Sequence, residues 1–112
     1  VKVVETFFAV EVADMARATA FYTAALGATT SFATPAWTSM HLAGVRIGLA
    51  LVPDHAAQHN GLHCAVDDLA AACTSIEAAG GRVATAATEV APGVVIALVT
   101  DTEANTFTLT QR

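Results

Sequence analysis

The strongest constraint on this chain is an internal duplication of a strand that runs into a capped helix. Val10 to Gly27 reads VEVADMARATAFYTAALG, and a fainter copy returns at an offset of 54 residues as CAVDDLAAACTSIEAAGG. In the first copy Phe8, Val10 and Val12 alternate with Phe7, Ala9 and Glu11, the period of a strand with one buried face. Asp14 stands where an N-cap belongs. Met15, Ala18, Tyr22 and Leu26 then recur at spacings of three and four, which gives one apolar stripe. Gly27 supplies the left-handed residue that ends the helix. In the second copy Val66, Asp68, Leu69, Ala72 and Gly81 match Val12, Asp14, Met15, Ala18 and Gly27. The offset divides a chain of 112 residues nearly in two, so both halves are expected to fold to one plan.

The remaining pattern agrees. The spacing predicts a strand over 3–12 and a helix over 14–26, then strand-like runs at 28–33, 36–42 and 45–52. Ala33-Thr34-Pro35 breaks the first run from the second, and Ala43-Gly44 makes a tight turn before the third. Residues 53–61, PDHAAQHNG, read as a polar linker. The second half predicts a strand at 61–66, a helix at 68–79 and strands at 82–87, 94–100 and 105–111, with turns at 92–93 and 101–105. Each half is β-α-β-β-β. The expected fold class is α+β, one domain over 1–112 built from modules at about 1–53 and 60–112.

Composition narrows the function. Hydrophobic residues make up 54% of the chain and charged residues 13%, and the mean hydropathy is +0.55. No apolar run approaches the length that crosses a bilayer. The excess apolar content implies a dense core plus a further covered surface, either a homodimer interface or a ligand cavity. A net charge of −5 without any Lys/Arg cluster argues against nucleic acid or an anionic membrane as partner. The first residues show no targeting pattern, and a cytoplasmic location is expected. Cys64 and Cys73 read as small buried hydrophobes, with no spacing that suggests zinc or redox chemistry.

Three motifs resemble one family. They are Asp-Met-x-Arg-Ala-x-x-Phe-Tyr-x-x-x-Leu-Gly ending at Gly27, Val-Asp-Asp-Leu at 66–69, and Asp-x-x-x-Asn-x-x-x-Leu at 101–109. They are similar to those of the vicinal oxygen chelate superfamily, which contains glyoxalases, bleomycin-resistance proteins and extradiol dioxygenases. The resemblance covers essentially the whole chain. It implies two βαβββ modules forming a curved mixed sheet with the helices on the convex side. The concave face then forms a cavity, between halves of one chain or halves exchanged between two.

The resemblance also implies where a divalent metal would sit in the enzymes of the superfamily. Its His or Gln ligands fall at Phe7 and Gly61, and its Glu ligands at Thr108 and at Gly48 or Ala50. None of these side chains suits the site, so a metal-free protein with no cofactor is expected. Among the four histidines, His63 is the one placed on the concave face by alternation. His41 ends a strand, and His55 and His59 lie in the linker.

The expected ligand-binding residues are Phe7, Ala9, Glu11, Trp37, His41, Gly61, His63 and Thr108, with Ala65, Thr106 and Thr110 on the same face. They describe a mostly apolar pocket with few polar anchors. Trp37 could stack on a planar ligand or serve as a core or dimer contact. The threonines could equally be ordinary strand formers, with Phe7 as a core plug. Glu5, Asp54, Glu77, Glu89 and Glu103 read as solvated surface carboxylates. Ser39 and Ser75 lack a nucleophile elbow, and no glycine-rich phosphate loop follows a strand. The leading expectation is a metal-free small-molecule-binding protein of the bleomycin-resistance type, holding a small hydrophobic or planar organic molecule. The alternative is a lyase, isomerase or dioxygenase-like enzyme with His63 and Glu11 as acid–base groups, or with a displaced metal site. A structural or regulatory dimer, its cavity filled by Phe7 and Trp37, is a third reading.

Overall fold

The computed structural model describes residues 1–112. The first half contains β1 (Phe8–Val12), α1 (Met15–Leu26), β2 (Thr29–Ala33), β3 (Trp37–Leu42) and β4 (Val45–Leu51). The second contains β5 (His59–Ala65), α2 (Leu69–Ala78), β6 (Arg82–Ala91), β7 (Val94–Thr100) and β8 (Thr106–Gln111). The α+β order of twice βαβββ is therefore the observed one. The strands form two four-stranded sheets, ordered β1-β4-β3-β2 and β5-β8-β7-β6. In each, the first strand of the module runs parallel to the last and the other pairs are antiparallel. The duplication is thus one of topology, down to the identity of the parallel pair.

Both helices start on the expected aspartates. Asp14 accepts from the Arg17 N–H at 2.9 Å and Asp68 from the Ala71 N–H at 3.0 Å, satisfying donors that the first turn leaves open. Gly27 ends α1 at φ +72°. The second helix ends differently from the sequence match. Gly80 takes the left-handed conformation at φ +97°, and Gly81 is needed for space: a Cβ there would meet the Thr100 backbone oxygen, Phe21 and Ile76.

Two strand boundaries also move. β1 begins at Phe8 and not at residue 3: in the register Phe8↔Ile47 a β4 that starts at Val45 gives residues 1–5 nothing to pair with, and the ladder itself starts two residues further on. β5 begins at His59, inside the expected linker. Its register shifts between His59 and His63, and Gly61 sits in that irregularity at φ +76°.

The core explains why the halves hold together. The stripe of α1 buries Ala18, Phe21 and Tyr22 with Val10, Val12 and Leu49, while Ile76, Val99, Phe107 and Leu109 of the second module join the same cluster. Phe21 stands edge-on to Tyr22 at 5.1 Å and to Phe107 at 6.4 Å, so a helix of one module packs on a strand of the other. Each such side chain contributes about 1.5–3 kcal/mol on burial.

Candidate functional site

The register assigns residues to the face of each sheet that points away from the helices. Three rows cross the first sheet: Glu11–Ala50–Trp37, Ala9–Gly48–Ser39 with Phe32, and Arg46–His41 with Thr29. Phe7 precedes β1 beside the third row. The Trp37 indole leans out of its own row and covers Gly48, so that a Cβ built on Gly48 would fall within the indole ring. Its N–H donates to the Ser39 hydroxyl at 2.8 Å, which fixes the ring's tilt. Phe7 meets Trp37 edge to face at 6.0 Å. On Phe7 in turn lies the Arg46 guanidinium, 4.0 Å from the ring centroid. Alternation in Val45-Arg-Ile-Gly-Leu-Ala places Arg46, Gly48 and Ala50 on one side. That signal would have found Arg46, which the sequence reading left out.

The second sheet presents a different face. His63, Thr108 and Leu98 form one row with Thr85, and Ala65, Thr110 and Ile96 another with Thr88. Thr108 is buried and His63 exposed. The structure thus brings Phe7, Ala9, Glu11, Trp37 and His41 onto one face, and His63 with Thr108 onto another. Gly61 stands apart from regular alternation. No strand pairing joins β1 to β5 within the chain, and the Glu11 carboxylate accepts from Gln58 at 3.2 Å. His59, expected in the linker, pairs in register with Thr106.

Two cavities open on the molecule, the first on the helix side of the sheets. One, of about 470 Å³, lies where α1 and the β3–β4 turn approach β5 and α2; Leu26, Leu42, Leu62 and Cys64 line it, and His63 reaches it. The other, of about 440 Å³, lies at the end of β1 against the β3–β4 turn, between Thr6, Phe7, Phe8, Gly44, Val45 and Arg46. Burial pushes the Cys64 thiol up, and burial with Glu77 does the same for Cys73. Both thiols are poor nucleophiles at neutral pH.

A polar junction fixes β1 against the second module, and here one sequence expectation is corrected. Glu103 is a buried hub and no surface carboxylate. It accepts five hydrogen bonds: from the Ala13 and Asp14 N–H groups, from Arg17 Nε and Nη2, and from the Thr102 hydroxyl. Burial opposes its charge, but the hydrogen bonds from Arg17, Thr102, Asp14 and Ala13 prevail and lower its pKa to about 2. Beside it Asp101 accepts from the Tyr22 hydroxyl at 2.7 Å and from Asn105, whose amide also donates to the Glu11 carbonyl at 2.8 Å. Burial, reinforced by Asp101, pushes the Tyr22 hydroxyl far up, so it remains a donor. The tight 101–105 turn concealed this role, because turn residues are ordinarily solvated.

The positions at which the superfamily enzymes carry metal ligands do not fit a metal here. Phe7 is one side of an aromatic contact, Gly48 lies beneath an indole and Ala50 carries no donor, while on β5 the register shift leaves Gly61 unpaired and sets His59, a lone imidazole, opposite Thr106. Thr108 is left as the single oxygen donor. No group of three or more His, Cys, Asp or Glu side chains converges as a metal site would require.

A family model described as a glyoxalase-like domain matches residues 7–110. No curated protein sequence matches. Among solved structures, the fosfomycin resistance protein FosX from Listeria monocytogenes superposes with a TM-score of 0.84 at 15% identity, covering 100% of this chain and 95% of that one. A glyoxalase/bleomycin resistance protein/dioxygenase family enzyme from Burkholderia phytofirmans PsJN gives 0.82 at 18% identity, covering 94% and 95%. The bleomycin resistance determinant encoded on transposon Tn5 gives 0.73 at 17% identity, covering 96% and 97%. At these identities the likeness is one of fold.

Proposed function

The chain belongs to the glyoxalase-like family of the vicinal oxygen chelate superfamily, and from that premise we propose that it is a metal-free protein that binds a small planar organic molecule. The observation that carries this reading is the Trp37 indole lying across Gly48. At Gly48, one of the two positions where the resemblance would put a metal-binding carboxylate, this chain has an aromatic surface in contact with Phe7. A ring face of that kind favours offset stacking with a flat ligand, worth about 0.5–1.5 kcal/mol beyond the area buried. Binding is then the function itself.

The enzyme reading draws on the FosX relatives, one of which is described as complexed with Mn(II). It finds less support in these residues. Acid–base work by Glu11 and His63 requires both within reach of one substrate, yet they stand on the edge strands of separate sheets. No helix is long and apolar enough to cross a membrane. We propose a homodimer. The dimer rests on the open faces: Phe7 is 44% and Phe32 60% exposed.

Trp37 is the chain's one tryptophan, so its fluorescence reads the proposed site directly. Planar aromatic compounds should quench it saturably, and Mn(II), Ni(II) or Zn(II) should leave the melting temperature unchanged. A metal that binds at one equivalent and raises the melting temperature overturns the reading, since ligands of the native state stabilise it.

A further inference from the structure

We infer that the ligand of the Trp37 face carries a carboxylate, and that Arg46 is the residue that selects it. The inference rests on the binding reading above and adds the chemical class of the ligand. Arg46 is the cation that stands against the aromatic pair, stacked on Phe7 at 4.0 Å. Together with Phe7 it lines the cavity of about 440 Å³ at the end of β1, a volume within the range of small-molecule sites.

The hydrogen bonding of Arg46 is incomplete. A guanidinium offers five N–H donors in a planar fork that matches a carboxylate bidentately. Here Nη2 donates to Glu5 Oε1 at 3.0 Å, while Nε is buried without a partner. Glu5 belongs to residues 1–7, outside any strand, and its side chain is 57% exposed. An exposed, single-contact ion pair of this kind is weak, so Glu5 holds the place of a carboxylate without filling the fork. Trp37 is not part of the cavity wall and adjoins it through its edge-to-face contact with Phe7, so a planar aromatic carboxylate bound there would set its ring against Phe7, beside the indole. Its two oxygens would take Nε and the neighbouring terminal nitrogen, with Glu5 released to water. His41 stands next to Arg46 in the same row.

The test compares 2-naphthoate with its neutral isostere 2-naphthamide, by calorimetric titration and by quenching of Trp37. The wild-type protein should bind the naphthoate about tenfold more tightly, the advantage of a charge-assisted bidentate pair over a neutral contact. Arg46→Gln should bring the ratio of the two affinities to about one, and Glu5→Gln should raise naphthoate affinity by removing its competitor. Equal affinities in the wild type, or a preference that survives Arg46→Gln, would overturn the carboxylate inference and leave the binding reading in place. Quenching by neither compound would overturn both.

Discussion

Arg17 and Glu103 lie 86 residues apart in the chain, yet Nε of one stands 2.8 Å from the carboxylate of the other. The bond joins the first turn of α1 to the last turn of the second module. Around it Glu103 also satisfies the Ala13 and Asp14 N–H groups, which would otherwise be left open where β1 hands over to α1. The placement of β1, and with it of the Trp37 face, therefore depends on a carboxylate in the opposite half.

Stability should consequently fall in acid in a defined window. The Glu103 pKa lies at about 2, below its ordinary value of 4.5. A group with a depressed folded-state pKa contributes fully above its unfolded value, and the contribution is lost as the pH falls through the folded one. The loss should run from near pH 4.5 down to about 2. Its size is at most about 3 kcal/mol, and less because the Arg17 guanidinium is half exposed. Glu103→Gln should lower stability at neutral pH by about 1–3 kcal/mol and flatten this part of the profile. Denaturant unfolding of both proteins from pH 7 to 2 checks it; parallel profiles would contradict the assignment.

Gly48→Ala should disturb Trp37. The added methyl occupies the volume of the indole, so the ring must turn away and give up its bond to Ser39. Overpacking of this kind costs about 1–3 kcal/mol. The expected readout is a red-shifted Trp37 emission with a lowered melting temperature. An unchanged spectrum would mean that the indole does not rest on Gly48.

Truncations should separate face from core. A Phe7 buried in the core would lose about 3–5 kcal/mol on change to alanine, but Phe7 is 44% exposed. Phe7→Ala should therefore cost only about 1 kcal/mol, and His63→Ala, at an exposed site, less. Phe107→Ala, at a position with no exposure, should cost about 3–5 kcal/mol. Thermal melting without ligand ranks the three. A Phe7→Ala loss equal to that of Phe107→Ala would return Phe7 to the core and remove it from the binding face.

These residues also show what a sequence makes legible. The aspartate caps, the Gly27 stop and the order of strands follow from local spacing, and each stands where that spacing puts it. Alternation likewise placed His63 on the open face, opposite Thr108. Phe7 had the right parity, but its exposure depends on what β1 pairs with beyond Phe8, which is not local. Glu103 was misread for the same reason: nothing in Asp-Thr-Glu-Ala-Asn states that Arg17 will meet it. Gly61 was assigned by counting back from Asp68, and the register shift in β5 breaks that count.

The last prediction concerns the second copy. A folded monomer of this mass exposes about 5,800 Å², whereas this chain exposes 6277 Å², roughly 500 Å² more than that scaling gives. The open surface is spread over residues 1–9, β2 and β6, and Phe32 stands 60% open on β2, which is exposed along its whole length. β2 and β6 are also the outer edge strands of the two sheets, and such edges invite pairing. A stable dimer needs about 800 Å² from each partner, which the two open faces can supply. Sedimentation at tens of micromolar should show a dimer. Phe32→Glu should shift it toward monomer with little loss of fold stability, because the side chain makes no part of the core. A wild-type monomer at that concentration, or a Phe32→Glu variant as dimeric as its parent, would show that another surface covers these faces or that water does.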